Sequence, residues 1–338
     1  MKKILLLLCF SAGLIAAAES YADPIPNDAP LELKRLLGEY RSADAQLTVY
    51  ESEGRLYADG LGLHQVRLRR LSPIQFVVDA PSASPEQLQF ELDAAQRPVS
   101  VDAGGTHLQF RDIGRETVQK IRAGVKADTG GGLRAAALAG KPPSEPPPKR
   151  AFDLVDLTTV DPSIKLDIRY ATSNNFLGFP LYERSAAYLQ RPAAEALGRV
   201  EHSLKAKGYG LLIHDGYRPW FVTKMFWDAT PESAHMFVAD PTQGSRHNRG
   251  CATDLTLYDL KTGKAVEMTG GYDEMSPRSY AAYVGGTSRQ RWLRELLRAE
   301  MEAQGFAVYP EEWWHFDYKD WSDYAIGTAT FTQLRAAS

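Results

Sequence analysis

Cysteine is nearly absent from this 338-residue chain, which has only Cys9 and Cys251. Cys9 sits in an apolar N-terminal stretch, so once that stretch is removed Cys251 has no partner and an internal disulfide framework is excluded. An excess of one charge is also lacking. With 39 Lys+Arg against 42 Asp+Glu, the formal net charge is −3. No basic block points to nucleic acid, and no acidic tail points to a disordered partner-binding region. No internal repeat is evident. The 44% hydrophobic and 24% charged content is a globular balance, and the length allows two domains with separate cores.

The N-terminus carries a clear signal. Lys2 and Lys3 precede an apolar run from Ile4 to Ala18 that is broken by Ser11 and Gly13, and small residues offer cleavage after Ala18 or Ala22. That is a secretory signal layout over 1–22. The run is too short for a spanning helix. The mature chain is therefore expected to be periplasmic or secreted, with no stable membrane span.

From 31 to 113 short runs alternate apolar with polar residues, among them Val66 and Leu68, Phe90 and Leu92, and Leu108 and Phe110. The pattern predicts a small all-β domain, either a barrel or a sandwich, with a hairpin turning at Glu53-Gly54. Over 123–150 the composition shifts to Gly130-Gly131-Gly132, an alanine-rich patch and two proline runs. It reads as a linker. Residues 151–338 mix helices with non-consecutive strands, which predicts an α+β domain with an antiparallel sheet. Pro192 opens a helix carrying Leu197, Val200 and Leu204, and Leu211 to Ile213 reads as a buried strand. Thr287 and Gln290 form a capping box ahead of a second helix.

Two segments of this domain bear chemistry: Ser245-Arg246-His247-Asn248-Arg249-Gly250-Cys251-Ala252-Thr253-Asp254 and Glu311-Glu312-Trp313-Trp314-His315-Phe316. On a strand, Ala252 and Asp254 share a face, and the small alanine leaves room for a metal beside the carboxylate. Glu312 and His315, three apart, meet at one site if they lie on a helical turn or at a kinked strand entrance. A glutamate and a histidine among tryptophans are costly to bury without a partner. His247, Asp254 and His315 make a His₂Asp set that suits zinc, because imidazole dominates it. Glu312 is then left free to take a proton from water. Cys251 fits better as a small packing residue than as a further ligand. In Asp215-Gly216-Tyr217-Arg218-Pro219, the fixed charge of Arg218 suits an oxyanion. The plainer alternative is a salt bridge to Asp215 or to a carboxylate elsewhere.

These motifs, together with Ile168-Arg169-Tyr170-Ala171-Thr172, Asn175-Phe176-Leu177-Gly178 and Tyr272-Asp273, resemble the D-alanyl-D-alanine dipeptidases of the zinc D,D-peptidase family. The resemblance runs from about Val155 to Tyr318. It implies one zinc ion held by His247, Asp254 and His315, with Glu312 as catalytic base and Arg218 stabilising the oxyanion. Ser245 and Asp273 would hold the free α-amino group of the substrate, and Tyr170 would line its pocket. The implied activity is hydrolysis of D-alanyl-D-alanine or a similar D,D-dipeptide, and export would assign it to cell-wall peptide recycling. Two other expectations stand beside it: a D,D-carboxypeptidase acting on longer peptidoglycan stems, with the N-terminal domain holding the wall, and a non-catalytic zinc- or wall-binding protein. The chain departs from the family pattern at Tyr272, where phenylalanine is usual, at His214, where an apolar aromatic is common, and at Cys251.

Overall fold

The computed structural model describes residues 24–126 and 131–337. The expected signal segment, 1–22, lies outside the described residues. Among the described residues no helix is long and apolar enough to cross a membrane.

A short helix α1 (Leu31–Lys34) leads into eight strands: β1 (Gly38–Arg41), β2 (Gln46–Ser52), β3 (Arg55–Gly60), β4 (Leu63–Arg70), β5 (Gln75–Val78), β6 (Gln87–Leu92), β7 (Pro98–Ala103) and β8 (Thr106–Arg111). Each pairs antiparallel with the next, and β1 closes on β8 with Tyr40 opposite Phe110. The all-β domain is a closed barrel. The β2–β3 hairpin turns where expected, at Glu53 (φ 51°) and Gly54 (φ 75°). Two positive φ angles in a two-residue loop match the right-handed twist of the strands. Alternation sends Tyr40, Leu47, Leu56, Phe76, Leu88, Phe90 and Leu108 inward, all buried. Tyr40 and Phe76 each meet Phe90 edge-on, at 5.6 and 5.7 Å. Eight strands enclose only enough space for side chains, and here the side chains fill it.

The stretch read as a linker is not bare coil. The last turn of helix α2 (Ile113–Lys126) and all of helix α3 (Gly131–Ala139) lie within it, with 127–130 outside the described residues. Ala137 is fully buried, and Arg134 donates to the Leu181 carbonyl at 2.9 Å while lying over Phe221. Farther on, Glu145 pairs with Arg249. The glycine run suggested flexibility, but Leu133 and the alanines after it are good helix formers that pack on the next domain.

That domain contains β9 (Leu154–Asp156), α4 (Leu157–Val160), β10 (Lys165–Leu166), β11 (Tyr188–Gln190), α5 (Arg191–Lys205), β12 (Tyr209–Asp215), α6 (Trp220–Ala229), β13 (Ala252–Asp259), α7 (Ser288–Glu302), β14 (Phe306–Tyr309), β15 (Glu312–Tyr318) and α8 (Phe331–Ala337). Five strands form one sheet in the order β10-β12-β13-β15-β14. The sheet is mixed rather than wholly antiparallel, because β10 runs parallel to β12. Helices α5 and α7 begin as the sequence predicts, with proline in the first turn of α5 and the Thr287–Gln290 capping box on α7. Leu197, Val200 and Leu204 of α5 and Leu293, Leu296 and Leu297 of α7 are buried in the domain core. The central strands β12 and β13 are buried along nearly their whole length, so polar groups at their ends need partners there.

Candidate metal centre and substrate cavity

Three turns of chain converge at one end of the sheet. Strand β12 stops at Asp215 after a bulge, and Gly216 then passes so close to Tyr188 that a side chain would strike the Tyr188 carbonyl oxygen. The Gly216 carbonyl accepts from His247 Nδ1–H at 2.7 Å, which leaves His247 Nε2 with its lone pair toward the site. Gly250 has φ 68° and faces Leu154 and Gln190, so the left-handed, side-chain-free turn that brings the chain from His247 into β13 needs glycine. Asp254 on β13 lies directly opposite His315 on β15.

His247 Nε2 is 3.3 Å from Asp254 Oδ1, His315 Nδ1 is 3.0 Å from the same oxygen, and the two nitrogens are 3.1 Å apart. Ligands about 2.0–2.1 Å from a tetrahedral zinc ion stand roughly 3.3 Å from one another, so this buried set fits such an ion. Burial works to raise the Asp254 carboxyl, but His247 and His315 outweigh it and hold it well below the usual carboxylate range. Cys251 is buried outside the cluster, and burial pushes its thiol up to about 12. It is a packing residue.

Glu312 and His315 share the site although odd spacing on a flat strand would separate them. A register shift between Val308 and Tyr309 pairs Tyr309 with Glu312 and kinks the start of β15. Glu312 Oε2 lies 3.7 Å from His315 Nδ1. Burial pushes its carboxyl up to about 7, against the pull of His315.

Arg218 forms the salt bridge to Asp215 that its sequence context allowed. Its Nε donates to Asp215 Oδ2 at 2.9 Å, and its terminal nitrogen reaches 3.6 Å from Asp254 Oδ2. Asp215 is fixed in turn by Tyr182 O–H at 2.7 Å, and Phe226 lies under the guanidinium at 4.6 Å. The salt bridge therefore aims the charge at the metal cluster. Asp273 lies across the cavity and accepts from Tyr170 O–H at 3.0 Å. Burial, with Asp254 and Glu312 adding like charge, holds the Asp273 carboxyl well above the usual range. Ser245 lines the same cavity, and its Oγ accepts from His247 N–H at 3.2 Å. The cavity measures ≈ 130 Å³ and is lined by all eight residues that the sequence singled out.

Two contacts of the cluster escaped the sequence reading. Asp317 Oδ1 accepts from His315 Nε2–H at 2.9 Å and orients the ring, as outer carboxylates do for metal-bound histidines. Burial works against the charge on His315, yet Asp317 and Asp254 outweigh it and raise the imidazole well above its usual value. The only signal was spacing: Asp317 lies two residues after His315, on the same strand face. The second contact is the Tyr272 hydroxyl, which reaches Asp254 Oδ2 and lies 3.1 Å from the Tyr170 hydroxyl.

Residues 150–332 match the family model described as D-ala-D-ala dipeptidase. The D-alanyl-D-alanine dipeptidase of Escherichia coli (strain K12) is 35% identical over 174 residues, which is 52% of this chain and 89% of that protein. The enzymes of that name from Enterococcus faecium and Streptomyces coelicolor are 37% and 36% identical over 175 residues, each covering 46% of this chain and 87% of the relative.

Proposed function

Because the chain belongs to the D-ala-D-ala dipeptidase family and is a metallopeptidase, we propose that it hydrolyses D-alanyl-D-alanine, or a similar D,D-dipeptide, with one zinc ion held by His247, Asp254 and His315. The observation that carries this reading is the opposition of two sites across one small cavity: a metal-fitting triad with its own glutamate, and the Asp273–Tyr170 pair. At ≈ 130 Å³ the cavity is smaller than the ~300–1,000 Å³ of drug-sized ligand pockets, which favours a dipeptide over a peptidoglycan stem.

Held by His247, Asp254 and His315, a zinc ion would supply Lewis-acid polarisation of the scissile carbonyl and a lowered pKa for bound water. Glu312 takes the proton of the attacking water and passes it to the leaving amine. Arg218, held by Asp215, meets the negative charge that develops on the carbonyl oxygen. Asp273 sits among Asp254 and Glu312, so a substrate ammonium placed there relieves like-charge repulsion. Ser245 would share in holding that group. A blocked amino terminus brings no such charge, and the site then discriminates against it.

Export and a role in recycling cell-wall dipeptide rest on the N-terminal layout, and a mature N-terminus starting after Ala18 or Ala22 in a periplasmic fraction tests them. The catalytic reading is tested with purified protein on D-alanyl-D-alanine and its N-acetyl derivative, with chelator and zinc add-back. Zinc-restored cleavage that is much more efficient on the free amine than on the blocked substrate is the expected result. Cleavage of the blocked substrate as efficient as that of the free amine would point to a carboxypeptidase, and a folded, zinc-loaded protein that cleaves neither would point to a binding module.

A further inference from the structure

Asp273 has φ 57°. A residue other than glycine holds this left-handed backbone only where its surroundings over-determine it. Part of that constraint is local. The Glu274 carboxylate accepts from Gly271 N–H at 2.7 Å and Ser276 O–H at 2.9 Å, and it lies 3.3 Å from Arg278 Nε. The Glu274 carbonyl accepts from the Ser279 hydroxyl.

The barrel and the helix that follows it add further contacts. Gly114, in the first turn of α2 just past the barrel, lies so close to Glu274 that a side chain there would collide with it. Glu39 follows a different logic from its neighbour Tyr40. It points away from the filled interior, yet it is only 2% exposed, because the second domain covers it. Its carboxylate accepts from the Tyr283 hydroxyl and is attracted to Arg278, both of them on the loop that carries Asp273. A buried carboxylate is costly without such partners. The end of the same loop is fastened as well: Glu51 N–H donates to the Gly286 carbonyl at 3.0 Å, and the Glu51 carboxylate accepts from Ser288 N–H at 2.9 Å.

We propose that the barrel is an internal brace for the substrate's amino-terminal anchor, with Glu39 as a positioning residue that acts through Tyr283 and Arg278 on the loop holding Asp273. This rests on the dipeptidase reading, in which Asp273 receives the substrate ammonium. It gives the barrel a task that needs no ligand in its interior. The proposed metal ligands, Glu312 and Arg218 lie on other segments of the chain, so the direct effect of the brace is on binding of the free amine.

The test uses the full chain as wild type, Glu39→Ala, Glu39→Gln and Tyr283→Phe, with steady-state kinetics on D-alanyl-D-alanine and on its N-acetyl derivative, and a melting curve for each. Failure of the wild type to cleave the free dipeptide defeats the dipeptidase reading itself, before the brace is reached. Given wild-type activity, Glu39→Ala is expected to raise KM roughly tenfold while kcat stays within about twofold, as loss of uniform binding requires. The preference for free amine over blocked substrate should shrink in the same proportion. Glu39→Gln keeps an acceptor for Tyr283 and should recover part of the loss. Should Glu39→Ala fail to fold, Tyr283→Phe removes one hydroxyl from an otherwise intact ring and carries the same expectation at smaller size. A folded variant with wild-type KM and wild-type free-amine preference, even with a lowered Tm, overturns the proposal.

Discussion

The hydroxyl of Tyr272 lies 2.9 Å from Oδ2 of Asp254, the carboxylate oxygen turned away from the two histidines. It occupies one oxygen and leaves Oδ1 to the metal position. Its ring packs at 4.6 Å against His214. Tyr272 thus gives Asp254 a polar support, with His214 packed against its ring.

Tyr272→Phe removes that hydrogen bond without changing the shape of the ring. Outer partners of metal ligands contribute roughly 10–100-fold in affinity, and an exchange that leaves all three ligands in place belongs at the low end. Zinc binding should weaken about tenfold in a chelator competition, with kcat nearly unchanged once zinc saturates. Unaltered zinc affinity would deprive the hydroxyl of any such role.

Glu312→Gln keeps the volume of the side chain and removes the proposed base. Turnover is expected to fall by roughly 10²–10⁴-fold with zinc still bound. His315→Ala, by contrast, should lose the zinc, because a ligand has gone. Measured metal content separates the two variants, and an active Glu312→Gln enzyme would mean that another group takes the proton.

Asp273→Asn should raise KM for the free dipeptide and leave the N-acetyl compound unaffected. The change removes the charge and keeps the Tyr170 hydroxyl within reach of an oxygen. Parallel loss on both substrates would instead indicate general damage to the cavity.

Acid should weaken metal binding. Asp317 and Asp254 overcome burial and hold a proton on His315 well above its usual range, so metal uptake must displace it. Calorimetric titration in two buffers of different ionisation heat should therefore reveal proton release. Because the folded value is raised, the stability His315 gives the metal-free protein is full below about 6.5 and is lost as pH rises through the folded value. The base titrates in the opposite functional sense. Glu312 must be a carboxylate to act, and burial pushes it up to about 7. A cation in the cluster favours the carboxylate, so the acid limb of kcat should fall at or below that pH.

What could be read from the sequence depended on how local the cause was. Helix α7 follows from Thr287 and Gln290, three residues apart, and the β2–β3 turn from Glu53-Gly54, because both are set by short-range hydrogen bonding. The barrel's alternation showed strands but not closure, which is decided by the distant pairing of β1 with β8. The metal cluster was legible as residue types. Its geometry was not, since the kink that brings Glu312 beside His315 comes from a register shift against β14. Helix α3 was hidden by the glycines at its start. Glu39 gave no signal, because its partner Tyr283 is 244 positions away.

The barrel's strand order has a temporal consequence. Every strand pairs with its sequence neighbour, so the meander needs only residues up to Arg111 to complete itself. Nearest-neighbour pairings form early and N-terminal domains fold first during synthesis. His315, the last member of the metal cluster, emerges some two hundred residues later on the growing chain. The catalytic half would then mature against a template already in place, and a defect in the barrel would register first as slow acquisition of activity in a chain whose catalytic residues are all intact.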